Sequence, residues 1–209
     1  SGTLSGDISS RLIDDVAPGS ASDTIYTWGV QLYHRSLYAI DMLTGLSQLS
    51  ADSTGHLARV AGGDNFPDRY SSDFSIDTLA PYAYSGSWEY AQRTGKSGST
   101  VAVWKLDSAG APSLLNTIPV SQVTAVSDVK VSPDGKLLMF STEYGLNAGF
   151  YFYSLANPAN PSLLEYYQTG QEGIHTAKWA QIGGHLYAFG AKNPSNPALI
   201  ILDVTGLDN

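Results

Sequence analysis

Short runs in which apolar and polar positions alternate fill most of this chain, and one phrase among them recurs. Val103-Trp104-Lys105-Leu106-Asp107 runs on to Pro112-Ser113-Leu114-Leu115, and Phe152-Tyr153-Ser154-Leu155-Ala156 runs on to Pro161-Ser162-Leu163-Leu164. The two copies begin at positions 103 and 152, 49 residues apart. A third, Ile200-Ile201-Leu202-Asp203, follows about 48 residues later, and Leu37-Tyr38-Ala39-Ile40-Asp41 is a looser fourth. Alternating runs bounded by Gly, Pro, Asn and Asp predict strands and hairpins rather than helices. A period of roughly 40 to 50 residues made of short strands predicts the blade of a β-propeller.

Read on that period, the chain divides into an N-terminal arm, residues 1–24, and an all-β, propeller-like domain of about four modules, residues 25–209. The arm is rich in Ser, Gly and Asp, with an apolar patch at Leu12, Ile13 and Val16, and is expected to supply a closing strand. In the first module, strands are expected at Ile25–Val30, Ser36–Asp41 and Leu46–Leu49, and residues 62–73 read as the longest loop. The second has Pro81–Gly86, a long loop to about Ser99, then Thr100–Leu106 and Ser113–Ile118. Strands at Val126–Val131, Lys136–Thr142, Gly149–Leu155 and Ser162–Tyr167 make the third, and His175–Ile182, His185–Ala191 and Ala198–Val204 the last. Four modules sit at the lower limit of the four to eight blades that propellers use, so two arrangements stay open: a closed four-bladed ring, or part of a larger one.

Composition narrows the function classes. Hydrophobic residues make up 43% and charged ones 14%, with 21 Gly and 13 Tyr, which suits a strand-rich folded domain. The formal net charge of −8 comes with scattered Lys and Arg, so no basic patch is available to displace phosphate counterions, and nucleic acid is not an expected partner. Cysteine is absent, which excludes disulfides, thiol catalysis and thiolate metal sites. No run approaches the roughly 18 apolar residues of a membrane span, and no secretory leader is visible; the start at Ser1-Gly2-Thr3 fits either a mature end after processing or a cloning boundary.

The strand phrases Leu199-Ile200-Ile201-Leu202-Asp203-Val204 and Phe150-Tyr151-Phe152-Tyr153-Ser154-Leu155, with Asn157-Pro158-Ala159-Asn160-Pro161, resemble the LVIVD repeat, an apolar run ending in Asp and followed by Pro-rich turns. The resemblance covers about residues 70–205. It implies an exported or surface-attached bacterial or archaeal β-propeller, commonly of six to eight repeats and without an assigned activity. Two departures stand out: Ala156 in place of the Asp after the middle run, and fewer repeats than the family uses.

Aligned by module, Asp73, Asp128 and His175 fall at matching places in strands that would line the central channel, and Glu143 follows one strand after Asp128. Carboxylates with an imidazole suit a divalent metal, calcium or a transition ion, acting as Lewis acid or acidifying a water. The competing reading has these residues cap turns and cross-link neighbouring modules through backbone groups, with no cofactor expected. Asp64, Asp68 and Asp73 have the composition of a calcium loop without its spacing, and His34, His56 and His185 lack any paired metal-ligand spacing. No nucleophile elbow, P-loop or dinucleotide fingerprint occurs. Tyr82, Tyr84, Trp88, Tyr90 and Tyr144 form an aromatic set suited to a protein interface or to sugar stacking, against the alternative of packing between blades. The expectation is a non-catalytic binding or scaffold module in the periplasm, outside the cell or at its surface. It would be a peripheral subunit held by other proteins, in an assembly that could be membrane-associated. A metal-dependent enzyme built on Asp73, Asp128, Glu143 and His175, and a carbohydrate-binding module built on Trp88, are the alternatives.

Overall fold

Among the described residues, all regular structure is β-strand, as the alternation predicts. The computed structural model describes residues 27–63, 69–88, 99–192 and 197–208. The arm 1–24 lies outside the described residues, as do Asp64, Asp68 and Tyr90. Module 1 is the antiparallel meander β1 (Thr27–Tyr33), β2 (Ser36–Asp41), β3 (Gly45–Ala51) and β4 (Leu57–Gly62). Module 2 is β5 (Tyr70–Ile76), β6 (Tyr82–Trp88), β7 (Ser99–Leu106) and β8 (Pro112–Val120). Module 3 runs β9 (Ala125–Val131), β10 (Leu137–Glu143), β11 (Gly149–Ser154) and β12 (Ser162–Gln168), and module 4 has β13 (Ile174–Ile182), β14 (His185–Lys192) and β15 (Leu199–Asp203). A single bridge, Trp88 to Ala125, joins modules 2 and 3 into one continuous sheet. The result is a curled, broadly propeller-like succession of antiparallel sheets.

Two elements differ from the sequence expectation. Leu57–Gly62 is a fourth strand of module 1, hidden in the sequence because its alternation, with Leu57 and Ala61 flanking Arg59, is weak. Tyr70–Asp73 belongs to β5 rather than to a loop, since its Ser-rich run is buried and reads as polar.

Successive sheets pack face to face because each side of a strand takes one period of the alternation. Tyr38, Ile40 and Leu46 of module 1 meet Phe74, Ile76, Ala83, Ala102 and Trp104 of module 2. Tyr84, Val101 and Val103 on the other side of module 2 meet Val126, Val129, Leu138, Phe140 and Tyr151 of module 3. Met139, Phe150 and Phe152 then meet Ile174, Ala177 and Ala188 of module 4, with Trp179, Ile200 and Leu202 closing around them. Two large polar heads inside these layers are paired: Trp104 Nε1 donates to Ser85 Oγ at 2.9 Å, and Tyr84 Oη donates to Pro158 O at 2.9 Å.

The turn after each third strand follows from one side chain. Asp107 Oδ1 accepts from Ala109 N and Ala111 N, and Asp203 Oδ1 accepts from Thr205 N and Oγ1. In module 3 the acceptor two residues before the bonded amide is Ser154, whose Oγ takes Ala156 N at 3.2 Å. The middle repeat therefore keeps a side-chain turn with a hydroxyl at 154, two places before Ala156, the residue aligned with Asp107.

Phe150 is fully buried between modules 3 and 4, where it contacts the backbone of Gly190 so closely that a Cβ there would lie 2.2 Å from Cζ. Phe150→Ala is expected to cost about 3–5 kcal/mol, read as a lowered urea midpoint with the slope retained.

Candidate functional site at the loop end of modules 2 to 4

The first strands β5, β9 and β13 begin at one end of the sheets, and β6 and β10 finish there, so the aligned residues and the cleft described below share that end. Each first strand carries one residue too many against its partner: Trp28 in β1, one of Ser72 and Asp73 in β5, one of Ser127 and Asp128 in β9, and His175 in β13. A bulge of this kind turns neighbouring side chains away from the sheet face.

The bulge sets the cross-links. Asp73 Oδ2 accepts from Val129 N at 3.0 Å, and Asp128 Oδ2 accepts from Ala177 N at 2.7 Å, each from one module to the next. Ser75 Oγ accepts from Val131 N, Trp179 Nε1 donates to Lys130 O, and Gln31 makes the matching link from module 1, donating to Phe74 O and accepting from Ile76 N. Val129 follows Asp128 and Ala177 follows Thr176, so the structural counterpart of Asp128 in the last module is Thr176. His175, aligned with Asp128 in the sequence, is instead the bulged residue one place earlier, a shift that no periodicity reveals.

Two groups result. In the first, Lys130 Nζ is bonded to Asp73 Oδ2 and lies 3.9 Å from Asp128 Oδ1, a cation between two mostly buried carboxylates. Burial holds the Asp73 carboxyl above the ordinary carboxylate range, with the nearby Lys130 ammonium pulling the other way. In the second, buried Glu143 takes the Ser127 hydroxyl and His175 Nδ1 on the same oxygen, Oε1, the latter at 2.9 Å. Ser127 therefore points its proton at the carboxylate and not at the imidazole, so no serine–histidine relay is assembled. The His175 side chain is 59% exposed, and with Nδ1 on Glu143 its Nε2 is the nitrogen left for an outside group. Among the described residues no three His, Cys, Asp or Glu side chains converge on a point that could hold a metal ion.

The aromatic set separates. Tyr84 is buried between modules 2 and 3, and burial pushes its phenol far up. Tyr82 and Trp88 are half-buried, and Tyr82 packs against the same core. Tyr144 is 54% exposed and projects beside a cleft of about 800 Å³, with Arg69, Ser99, Gln122, Val123 and Leu146 among its walls. Tyr144 and Gln122 both sit in the left-handed region, at φ 49° and 60°. Such conformations cost about 1–3 kcal/mol in non-glycine residues and persist where surroundings impose them. The imposing contact is a pair of connections pressed together: Asn147 N donates to Gln122 O, and a Cβ on Gly145 would stand 1.9 Å from that oxygen. Ser99 Oγ is buried at the cleft without a hydrogen-bond partner. Of this site the sequence pointed to Tyr144 alone; Gln122, Leu146 and Ser99 carry no motif.

No family model and no curated protein matches the chain. Solved structures do. A protein from Lactobacillus plantarum aligns with a TM-score of 0.64 at 15% identity over 90% of this chain and 58% of its own. The periplasmic gluconolactonase of Pseudomonas aeruginosa aligns at 0.62 and 14% over 83% and 55%, and the holo form of the pyranose dehydrogenase PQQ domain of Coprinopsis cinerea at 0.52 and 13% over 88% and 52%. At such identities the likeness is one of fold. The chain spans a little over half the length of each of these three structures.

Asp73 yields a test of the cross-link. Asp73→Ala is expected to cost about 1–3 kcal/mol by stranding Val129 N, while Asp73→Asn, which keeps an acceptor, costs less. A folded-state pKa above the unfolded value favours the folded chain once the group protonates, an effect present below about pH 4 and lost as pH rises through the raised value. The stability of the wild type relative to Asp73→Asn, from urea midpoints, should therefore improve as pH falls from about 7 to about 4.

Proposed function

We propose that this chain is a non-catalytic binding or scaffold module of the LVIVD-repeat propeller type, acting outside the cytoplasm as a peripheral subunit of a larger protein assembly. The observation that carries the reading is the cleft between the Gln122 and Tyr144 connections, where exposed Tyr144 and Leu146 stand on a backbone held in strained conformations. An exposed aromatic and an aliphatic side chain on a pre-formed support suit the anchor of a protein partner. The neighbouring ionisable groups are engaged in holding modules together, Asp73 and Asp128 through Lys130 and backbone amides and Glu143 through Ser127 and His175. Groups committed in this way act as structure. Among the described residues no helix is long and apolar enough to cross a membrane.

A catalytic reading has two observations in its favour: exposed His175, backed by buried Glu143, has the form of a general base, and one fold neighbour is a periplasmic gluconolactonase. Under that reading His175→Ala removes lactone hydrolysis; under ours the purified chain has none to lose, and chelator dialysis leaves its thermal midpoint unchanged.

The deciding experiment is light scattering on protein isolated gently from its source. A particle well above the 22.2 kDa chain that loses its heterologous partners on Tyr144→Ala with Leu146→Asp is expected. A partner content unaffected by that double variant would overturn the cleft assignment.

A further inference from the structure

Two hairpins of this molecule make a two-residue turn with positive φ at both residues, and they fill it differently. Tyr33 pairs with Ser36 across the β1–β2 turn, and Ile182 pairs with His185 across the β13–β14 turn. The second turn uses the residue this conformation favours, Gly183 and Gly184 at φ 59° and 85°. The first holds His34 and Arg35 at φ 45° and 67°. Bulky side chains in the left-handed region are strained, and strain of this kind gathers at sites that bind. The surroundings of the two turns differ in the same sense. A Cβ on Gly183 or Gly184 would meet nothing within 4 Å, whereas His34 lines a cavity of about 240 Å³.

This cavity lies at the end of the sheets opposite the Tyr144 cleft, between the β1–β2 turn, the β5–β6 turn and the turn that follows β7. Tyr33, Pro81 and Leu106 supply apolar wall, and His34, Asp107 and Ser108 supply polar wall. Contacts within the chain set these walls in advance. Tyr38 Oη donates to Gly110 O at 2.8 Å and Gln48 Nε2 donates to Ala109 O at 3.0 Å, so module 1 holds the module 2 turn in place. The His34 ring meets Tyr33 edge-on, with centroids 4.2 Å apart.

We infer that this cavity binds a neutral monosaccharide. Its volume is below that of sites for drug-sized ligands and suits a single ring rather than a peptide. An anion would face Asp107, and a cation would lie beside Arg35 of the strained turn; a neutral ligand meets neither cost. Asp107 spends Oδ1 on Ala109 N and Ala111 N, which leaves Oδ2 to accept. The His34 imidazole and the Ser108 hydroxyl can each donate and accept, and ligand hydroxyls, donors and acceptors at once, match all three. The C–H side of a sugar ring lies against Tyr33, Pro81 and Leu106.

The test uses the purified 209-residue chain and leaves the Tyr144 cleft untouched. Saturation-transfer NMR with D-glucose, D-galactose and D-mannose, each at about 5 mM against a Kd of about 1 mM, should show transfer to the ring protons of at least one. His34→Gly with Arg35→Gly, which gives the turn the residues its conformation favours, should keep the far-ultraviolet dichroism spectrum and cut the transfer about tenfold. Asp107→Asn, which keeps an Oδ1 acceptor for the turn, should weaken binding by a similar factor. Should the double-glycine variant fail to fold, Ser108→Ala on the exposed turn takes its place. Absence of transfer from all three sugars overturns the inference, and so does transfer that survives both the turn variant and Asp107→Asn. Transfer from acetate with none from the sugars overturns it as well and assigns the cavity to an anion.

Discussion

The bond from a carboxylate on one first strand to the backbone amide of the next is the constraint on which the arrangement depends. Asp73 holds Val129 N, and Asp128 holds Ala177 N. Apolar layers alone would let two sheets slide, since the hydrophobic effect is non-directional. A single amide caught by a single carboxylate fixes the offset between sheets, and the bulge beside it puts the carboxylate where it can reach. Lys130 then sits between the two acids and offsets part of the cost of burying them.

The same residues explain the character of the loop end. Groups that in isolation suggest chemistry are consumed in registering the sheets, and what remains accessible is the imidazole edge of His175 and the wall formed by Tyr144 and Leu146. Strain at Tyr144 and Gln122 is held by two connections that touch through Gly145.

The alternation of apolar and polar residues, and its return every 49 residues or so, made thirteen of the strands legible in the sequence, because strand faces and their turns are local properties. Leu57–Gly62 and β5 escaped, the one for its weak alternation and the other because buried serines, Ser72 among them with its hydroxyl on Val126 O, read as polar. Asp73 and Asp128 could be singled out by their repeat spacing, but their roles depend on neighbours 56 and 49 residues away. His175 was set one place out of line by its bulge. The aromatic set read as one surface, yet only contacts across modules separate buried Tyr84 from exposed Tyr144. Gln122 and Ser99 had no signal, since a left-handed glutamine and an unpartnered hydroxyl exist only in three dimensions.

Each sheet is built from strands consecutive in sequence, and each packs on the sheets before and after it. Cohesion in such a chain is close to a sum of unit terms and nearest-neighbour terms, as in linear repeat arrays. Among the described residues module 3 packs on a sheet at each face, while module 4 has three strands and packs on module 3, the smallest share of both terms. Local opening should thus be graded along the molecule, with the amides of β14 and β15 exchanging before those of β10 and β11. Among the described sheets, that of β13 to β15 is in this sense the one held by the fewest such terms.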